Sequence, residues 1–453
     1  MTTAVALFTR DLRVADNPVL AAAAASDRMV ALFVLDPAVL DSDYNRPNRA
    51  GFLAESLADL RAAMRRRGGD LVIRAGDIAT EVDALVREVD ADVVHVAGDV
   101  SGYAQRREER LRRRLAAAEG ELRVWSDALF VVPAGAVTPA DRDHMAVFTP
   151  YYRRWETATV RQSAPTPRRL RAVHVACGRL PAAHAICAGE QSPDRPRGGE
   201  RPGRRRMLSW LRNSLDEYVD RHDDLARDAT SRLSPYLHFG CLSPLELRRR
   251  AEEHGGPGAE AFVRQLAWRD FHAQVLAARP DTTAVDYRDR GDRWRRDDDA
   301  LAAWREGRTG IPIVDAAMRQ LAREGWMHNR ARMLVAHFLT KLLYVDWRAG
   351  AAHFVDLLVD GDVANNTMNW QWTAGTGTDT RPNRTYNLIR QARRHDPDGA
   401  YVRRYVPELA AIAGSDVHEP WALPESARAE LDYPAPIVDL ERARERFQRA
   451  RGR

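Results

Sequence analysis

The order of the hydrophobic patterns constrains this chain most. Short apolar runs of β-type residues at Val5–Thr9, Val30–Leu35, Leu71–Arg74 and Val93–Ala97 alternate with helical patterns at Asn17–Ala25, Arg49–Arg67, Ala79–Val89 and Gln105–Ala118. A parallel pair of strands needs a long crossover, usually a helix, so this alternation predicts a doubly wound parallel sheet of Rossmann-like α/β type. Beyond Arg206 the periodicity is helical, over Met207–Asp220, Pro244–Glu253, Glu260–Ala278, Ile313–Glu324, Asn329–Tyr344 and Ala351–Leu358. Between the two lies a stretch rich in Pro, Gly and Arg, which reads as a long connection. The expected organisation is an α/β domain over 1–130, an inter-domain linker over 131–205 and an all-α domain over 206–453.

The turn after the first strand, Thr9-Arg10-Asp11-Leu12-Arg13, has no glycine fingerprint, which argues against a dinucleotide site of the usual kind there. No apolar run approaches the roughly 20 residues that span a bilayer, and no secretory pattern opens the chain. Cys177, Cys187 and Cys241 are scattered without metal-ligand spacing, as expected in a reducing, cytoplasmic setting. A net charge of +5 and a pI near 9.3 are a mild basic bias. Lys341 is the only lysine among 69 basic residues. Arginine grips phosphate bidentately, but GC-rich coding produces the same bias, so composition decides nothing about nucleic acid.

Four constellations carry possible chemistry. In Gly325-Trp326-Met327-His328-Asn329-Arg330-Ala331-Arg332-Met333, helical spacing places Trp326, Asn329, Arg330 and Met333 on one face. Such a mixed face is either a wall against a polar planar ligand or a partly buried helix with a capping amide. Gln265, Trp268, Arg269 and His272 repeat the spacing; Trp268 could stack on a base and Gln265 bond its edge, or the helix could be core with a polar rim. In Asp360-Gly361-Asp362-Val363-Ala364-Asn365-Asn366-Thr367-Met368-Asn369-Trp370-Gln371-Trp372, paired carboxylates could bind a metal, but further ligands at loop spacing are lacking. Paired with arginine, they could instead receive the N–H groups and ribityl hydroxyls of a flavin. Thr230-Ser231-Arg232-Leu233-Ser234-Pro235 offers hydroxyls at a helix start, suited to pyrophosphate or to capping alone.

Taken together with Gly310-Ile311-Pro312-Ile313-Val314-Asp315-Ala316-Ala317-Met318-Arg319-Gln320-Leu321, these motifs resemble the photolyase/cryptochrome family, most of all its class I cyclobutane pyrimidine dimer (CPD) DNA photolyases. The likeness runs from Phe8-Thr9-Arg10-Asp11-Leu12-Arg13 to Leu431-Asp432-Tyr433-Pro434-Ala435-Pro436-Ile437-Val438. It implies an N-terminal antenna domain, an all-α FAD-binding domain and no metal. It implies FAD contacts from Tyr218, Thr230, Ser231, Arg232, Leu233, Ser234, Phe262, Arg269, Arg332, Asp360, Gly361, Asp362 and Asn366. Arg332 would pair with Asp360, and Asn366 would face the flavin N5 and favour its reduced form. A lesion in UV-damaged DNA would be flipped out against Gln265, Trp268, Asn329, Met333 and Trp372, with His222, His272 and Arg330 also toward DNA. Trp370, Trp347 and Trp294 would relay electrons. Asn366 and Gln265 would be the residues nearest catalysis. The implied enzyme is a monomeric deoxyribodipyrimidine photo-lyase, in which light-excited reduced FAD lends an electron to the dimer and recovers it. The segment Arg46–Leu57 resembles members with an 8-hydroxy-5-deazaflavin antenna, methenyltetrahydrofolate being the runner-up.

Gln265 departs from the Glu usual in CPD photolyases; Gln occurs there in (6-4) photolyases and animal cryptochromes, which usually have His-His where this chain has His328-Asn329. His222, Leu342, Leu388 and His395 depart from the family pattern too. The competing expectations are a (6-4) photolyase and a cryptochrome-type blue-light photoreceptor.

Overall fold

Five short strands pair in parallel into one sheet: β1 (Thr3–Phe8), β2 (Arg28–Leu35), β3 (Leu71–Ala75), β4 (Val93–Ala97) and β5 (Glu121–Trp125), in the order β3-β2-β1-β4-β5. The computed structural model describes residues 1–227 and 229–452. It divides into two compact units, the first made of Met1–Gln191, Pro196–Asp216 and Ser231–Pro280 and the second of Ser192–Arg195, Glu217–Thr230 and Asp281–Arg453.

In the first unit β1 is central and wholly buried, as a strand paired on both sides requires. The helices α1 (Pro18–Ala24), α2 (Pro47–Arg65), α3 (Ile78–Val89) and α4 (Gly102–Ala116) lie close to the expected positions. Asn17, Asp77 and Ser101 cap α1, α3 and α4 by accepting a backbone N–H at the first turn. Val5, Leu7, Val30, Leu32, Val94 and Val96 form one core with Ile78, Val82 and Leu85 of α3 and Leu111 and Leu115 of α4. Strand β5 was not expected. It is an edge strand whose exposed Glu121 and Arg123 bond each other, so it lacks the apolar run that marks the other four.

The turn after β1 is closed by side chains. Buried Asp11 accepts the Thr9 N–H at 3.0 Å, and buried Arg13 donates to the carbonyls of Asp16, Gly240 and Ala128. Most of residues 131–205 are likewise bonded within this unit, Ser192–Arg195 being counted in the second. Asp270, on the long helix Gly256–Ala278, accepts N–H groups from Val131, Val132 and the Trp155 indole, and Gln274 exchanges two bonds with the Met145 backbone. Further along, Met29 donates to Arg171 and Ile73 to Cys177. Composition hid this because main-chain bonds do not depend on side-chain polarity. This segment contains α5 (Phe148–Glu156), α6 (Glu200–Asn213) begins near its end, and the unit's long helix is α7 (Gly256–Ala278).

In the second unit α8 (Pro312–Glu324), α9 (Asn329–His337), α10 (Trp347–Leu357), α11 (Val363–Ala374), α12 (Leu388–His395) and α13 (Leu440–Ala450) enclose a core that includes Trp304, Phe338, Trp347, Phe354 and Trp370. One π-helical turn, Phe338–Leu343, continues α9. The expected helix face was one residue set too long. Gly325 ends α8 at φ +56°, and His328 caps α9 by accepting the Arg330 N–H, so Trp326 precedes the helix and does not share its face. Among the described residues no helix is long and apolar enough to cross a membrane.

Candidate functional site

In the second unit, a concave pocket of about 60 Å³ is lined by Asn329, Arg332, Met333 and Ala336 of α9, by Phe354 of α10, by Asp360, and by Asn365, Asn366, Asn369, Trp370 and Thr373 of α11. Three short chain segments thus bring six of the expected site residues together: Asn329, Arg332, Met333, Asp360, Asn366 and Trp370. Arg332 donates from Nη2 to both Asp360 oxygens, at 3.0 and 2.8 Å, and from Nε to the Met327 carbonyl at 2.8 Å. The Asp360 side chain is only 4% exposed, so the pair supplies the countercharge that a buried carboxylate requires. Asn366 donates through Nδ2 to the Ala351 carbonyl at 3.0 Å, which fixes its amide and leaves the amide oxygen as an acceptor. Asp362 does structural work that its sequence position announces: it caps α11 by accepting the Asn365 backbone N–H at 2.9 Å and the Asn365 amide at 2.8 Å. Gly361 sits in the tight turn between the two aspartates, closed by Asp362 N–H to Asp360 carbonyl at 2.6 Å.

Arg330 lies against protein. Its guanidinium grips Asp223 at 3.1 and 2.5 Å. Burial would raise the Asp223 carboxyl, but Arg330 more than offsets it and holds the group below its ordinary value. Its neighbour His222 bonds the Tyr218 carbonyl, and Tyr218 is buried. The Thr230 hydroxyl is buried with no hydrogen-bond partner, which is the condition of a group awaiting a ligand acceptor or donor.

The tryptophans separate by environment. Trp370 is buried, edge-on to Trp304 at 6.0 Å and to Phe354 at 5.0 Å. Trp347 is also buried, and its indole donates to Asp286 at 2.8 Å. Trp294 is half-buried beside Tyr344 at 5.0 Å. Trp304 was not expected at the site; nothing in its spacing links it to Trp370. Trp372 is half-buried, with the Arg384 guanidinium over its ring at 5.4 Å. Arg384 was missed as well, because it lies in a loop that carries no period.

In the first unit, α7 presents an exposed Gln265. Trp268 stacks on Phe148 at 3.6 Å and 5°, so one face of its ring is already covered. His272 is buried with its ring against Trp268 and Phe271, which puts it behind Trp268. Arg269 donates to the Leu129 carbonyl at 2.6 Å and lies over Phe130. Phe262 is buried against Trp210 at 4.6 Å. Arg232 sits at φ +50°, a conformation costing a non-glycine residue about 1 kcal/mol. Ser231 accepts the Leu233 N–H, and Ser234 opens a short helix, Ser234–His238. Among the described residues no group of three or more His, Cys, Asp or Glu side chains is arranged to hold a metal.

Two family models match the chain: "DNA photolyase" over residues 4–169 and "FAD binding domain of DNA photolyase" over residues 262–452. A deoxyribodipyrimidine photo-lyase of Streptomyces griseus is 58% identical over 455 residues, covering 100% of both chains. A cryptochrome DASH of Natronomonas pharaonis is 37% identical, over 97% of this chain and 99% of that one. Among solved structures, a bacterial class III photolyase from Agrobacterium tumefaciens superposes with a TM-score of 0.91 at 32% identity, over 99% of this chain and 96% of that one.

Proposed function

The chain belongs to the DNA photolyase family, and from that premise we propose that it is a deoxyribodipyrimidine photo-lyase, which uses light to split cyclobutane pyrimidine dimers in UV-damaged DNA. The observation that carries this reading is the pocket of the second unit, where the Arg332–Asp360 pair and Asn366 stand beside Asn329, Met333 and Trp370. The donor set fits a flavin. A bonded ion pair offers polar atoms without net charge, and the fixed Asn366 amide offers an acceptor for a ring N–H. Bound in its reduced form, FAD supplies a light-excited electron, which breaks the two bonds between the pyrimidines and then returns, with no net oxidation.

The chain's own residues bind, orient and exclude water. The Asn366 amide oxygen would accept a hydrogen bond from a ring N–H of the flavin and so favour the reduced cofactor. By the family likeness Thr230, Ser231, Arg232, Leu233 and Ser234 would hold the phosphate end and Arg269 and Phe262 would contribute from α7, while Asp362 caps α11 and would add a carboxylate acceptor. By the same likeness Asn329, Met333 and Trp372 would receive the flipped dimer, and Gln265 and Trp268, the latter backed by Phe148, would contribute from α7. Trp370, Trp347 and Trp294 relay electrons. For the antenna we propose 8-hydroxy-5-deazaflavin at the start of α2, where Asn48 and Arg49 are buried and Arg46 is half-buried. Extraction of only folate from protein made in a deazaflavin-producing host would exclude it.

The second reading is a photoreceptor of cryptochrome type, which the neutral Gln265 and the cryptochrome DASH relative both favour. The experiment is repair of UV-irradiated plasmid by the reduced holoprotein, in light and in darkness, with cyclobutane and (6-4) lesions counted separately. Loss of cyclobutane dimers in light alone is expected. Loss of (6-4) lesions alone reassigns the substrate, and no loss of either reassigns the protein to signalling.

A further inference from the structure

The only lysine of the chain sits in its π-helical turn and is 3% exposed. Turns of this kind recur at functional sites. Lys341 has no carboxylate at ion-pair distance among the described residues. Its ammonium donates to the carbonyls of Pro382 at 3.1 Å and Arg384 at 2.6 Å, and it lies 5.4 Å from the Phe447 ring centre. Burial, with Arg451 and Arg384, pushes the ammonium down to about 7, against the pull of Asp379 and Asp292; His337 on its own helix is the other titratable group beside it. A compact ammonium on a flexible stem reaches both carbonyls from within the buried turn.

The two carbonyls belong to the loop between α11 and α12. The loop folds back tightly on itself: at Gly375, φ +84°, a Cβ would lie 2.2 Å from the Pro382 oxygen. Arg451 donates to Asn383 at 3.3 Å and to Ala374, while it is bound to buried Asp292. Tyr386 stacks on His337 at 3.9 Å and donates to the Met333 carbonyl. The loop is therefore fastened at several points, yet its outer side chains are left free. Arg381 and Arg384 are exposed and have no acidic partner among the described residues, and Arg384 lies over Trp372.

We propose that Lys341 is a positioning residue for lesion recognition, holding the Pro382 and Arg384 carbonyls so that the Arg384 guanidinium is set over Trp372. This rests on the reading of Trp372 as lesion-facing. Arg384 then screens phosphate charge beside the flipped dimer and holds the Trp372 ring, while Lys341 never touches DNA.

The test uses reduced, FAD-loaded protein and a duplex with one cyclobutane thymine dimer. Lys341→Met and Arg384→Ala should each raise the Kd about tenfold, the scale of one hydrogen-bonded charge. The double variant should lose little more than either alone, because the two act in series. FAD content should match the wild type, and the Lys341 variants should reach the wild-type repair rate at saturating DNA. Lys341→Gln, which keeps two N–H donors, should raise the Kd less and serves if the methionine variant does not fold. Hydrogen exchange at residues 383–387, without DNA, should quicken in both Lys341 variants. Wild-type Kd and exchange in these variants, with Trp372→Ala impaired, would overturn the latch alone; losses that multiply in the double variant would overturn it too. Wild-type Kd in Trp372→Ala would remove the lesion-facing reading itself and with it the proposed role.

Discussion

Trp370 and Trp372 stand two residues apart on α11 and meet opposite surroundings. Trp370 is 2% exposed and walled by Trp304 and Phe354; Trp372 is half-buried with a cation over its ring. A two-residue step turns the helix by about 200°, so one indole faces the core and the other faces out. The first face is dry and aromatic, a place where an electron can move between rings without reorganising water. The second is wet and cationic, a place to stack a base beside phosphate. A tryptophan-rich stretch is thus two surfaces on one helix, and the polar pocket lies along the first.

The comparison breaks most heavily if the polar pocket along the Trp370 face is disturbed. Arg332→Ala leaves Asp360 buried and unpaired, with an expected loss of about 3 kcal/mol in urea unfolding and of FAD during purification. Retention of both stability and cofactor would show that the pair is ornamental. Next is the dry face. A Cβ on Gly350 would lie 2.2 Å from the Trp370 ring, so Gly350→Ala should cost about 2 kcal/mol by overpacking. The exposed Asn369→Ala, next to Trp370 on α11, should change stability by less than about 0.5 kcal/mol. The two indoles then separate by readout. Trp370→Phe should stop light-driven reduction of oxidised FAD while lesion affinity holds. Trp372→Ala should weaken lesion binding about tenfold while photoreduction holds. If either variant loses both properties, the two-face description is wrong.

The smallest effect is a slope. Burial outweighs Arg269 and three N–H donors at Asp270 and pushes its carboxyl up to about 6, from an ordinary 3.8. The native state therefore keeps a proton that the unfolded chain releases. The stability this confers is present below pH 3.8 and lost as pH rises through about 6. Asp270→Asn should flatten the pH dependence of the unfolding midpoint across that window; an unchanged slope would refute the shift.

Much of this was legible beforehand because hydrophobic period reports burial. Strands β1 to β4 and helices α1 to α4 followed from it, and β5 did not, since an edge strand may be half polar. The spacing of Asn329 and Met333 put them on one helix face, and they line the pocket. Trp326 failed the same reasoning because a histidine cap is a weak signal beside Ser, Thr, Asp or Asn. The capping work of Asp362, with Asn365 three residues on, could have been read from the helix-start pattern. The burial of His272 could not, since Phe271 and Trp268 close over it in three dimensions. Arg384 and Lys341 act through a loop, where side chains meet main-chain carbonyls and no period exists to betray them. The lone lysine was the one hint.

The most direct test of the central claim is optical. A single-stranded oligonucleotide with one cyclobutane thymine dimer lacks the absorbance of the two saturated 5,6-bonds, and splitting the ring restores it. With reduced holoprotein, that absorbance should recover under blue light, over many turnovers per enzyme, and stay flat in darkness. A trace that stays flat in the light, from protein that carries reduced FAD and binds the oligonucleotide, would contradict the account.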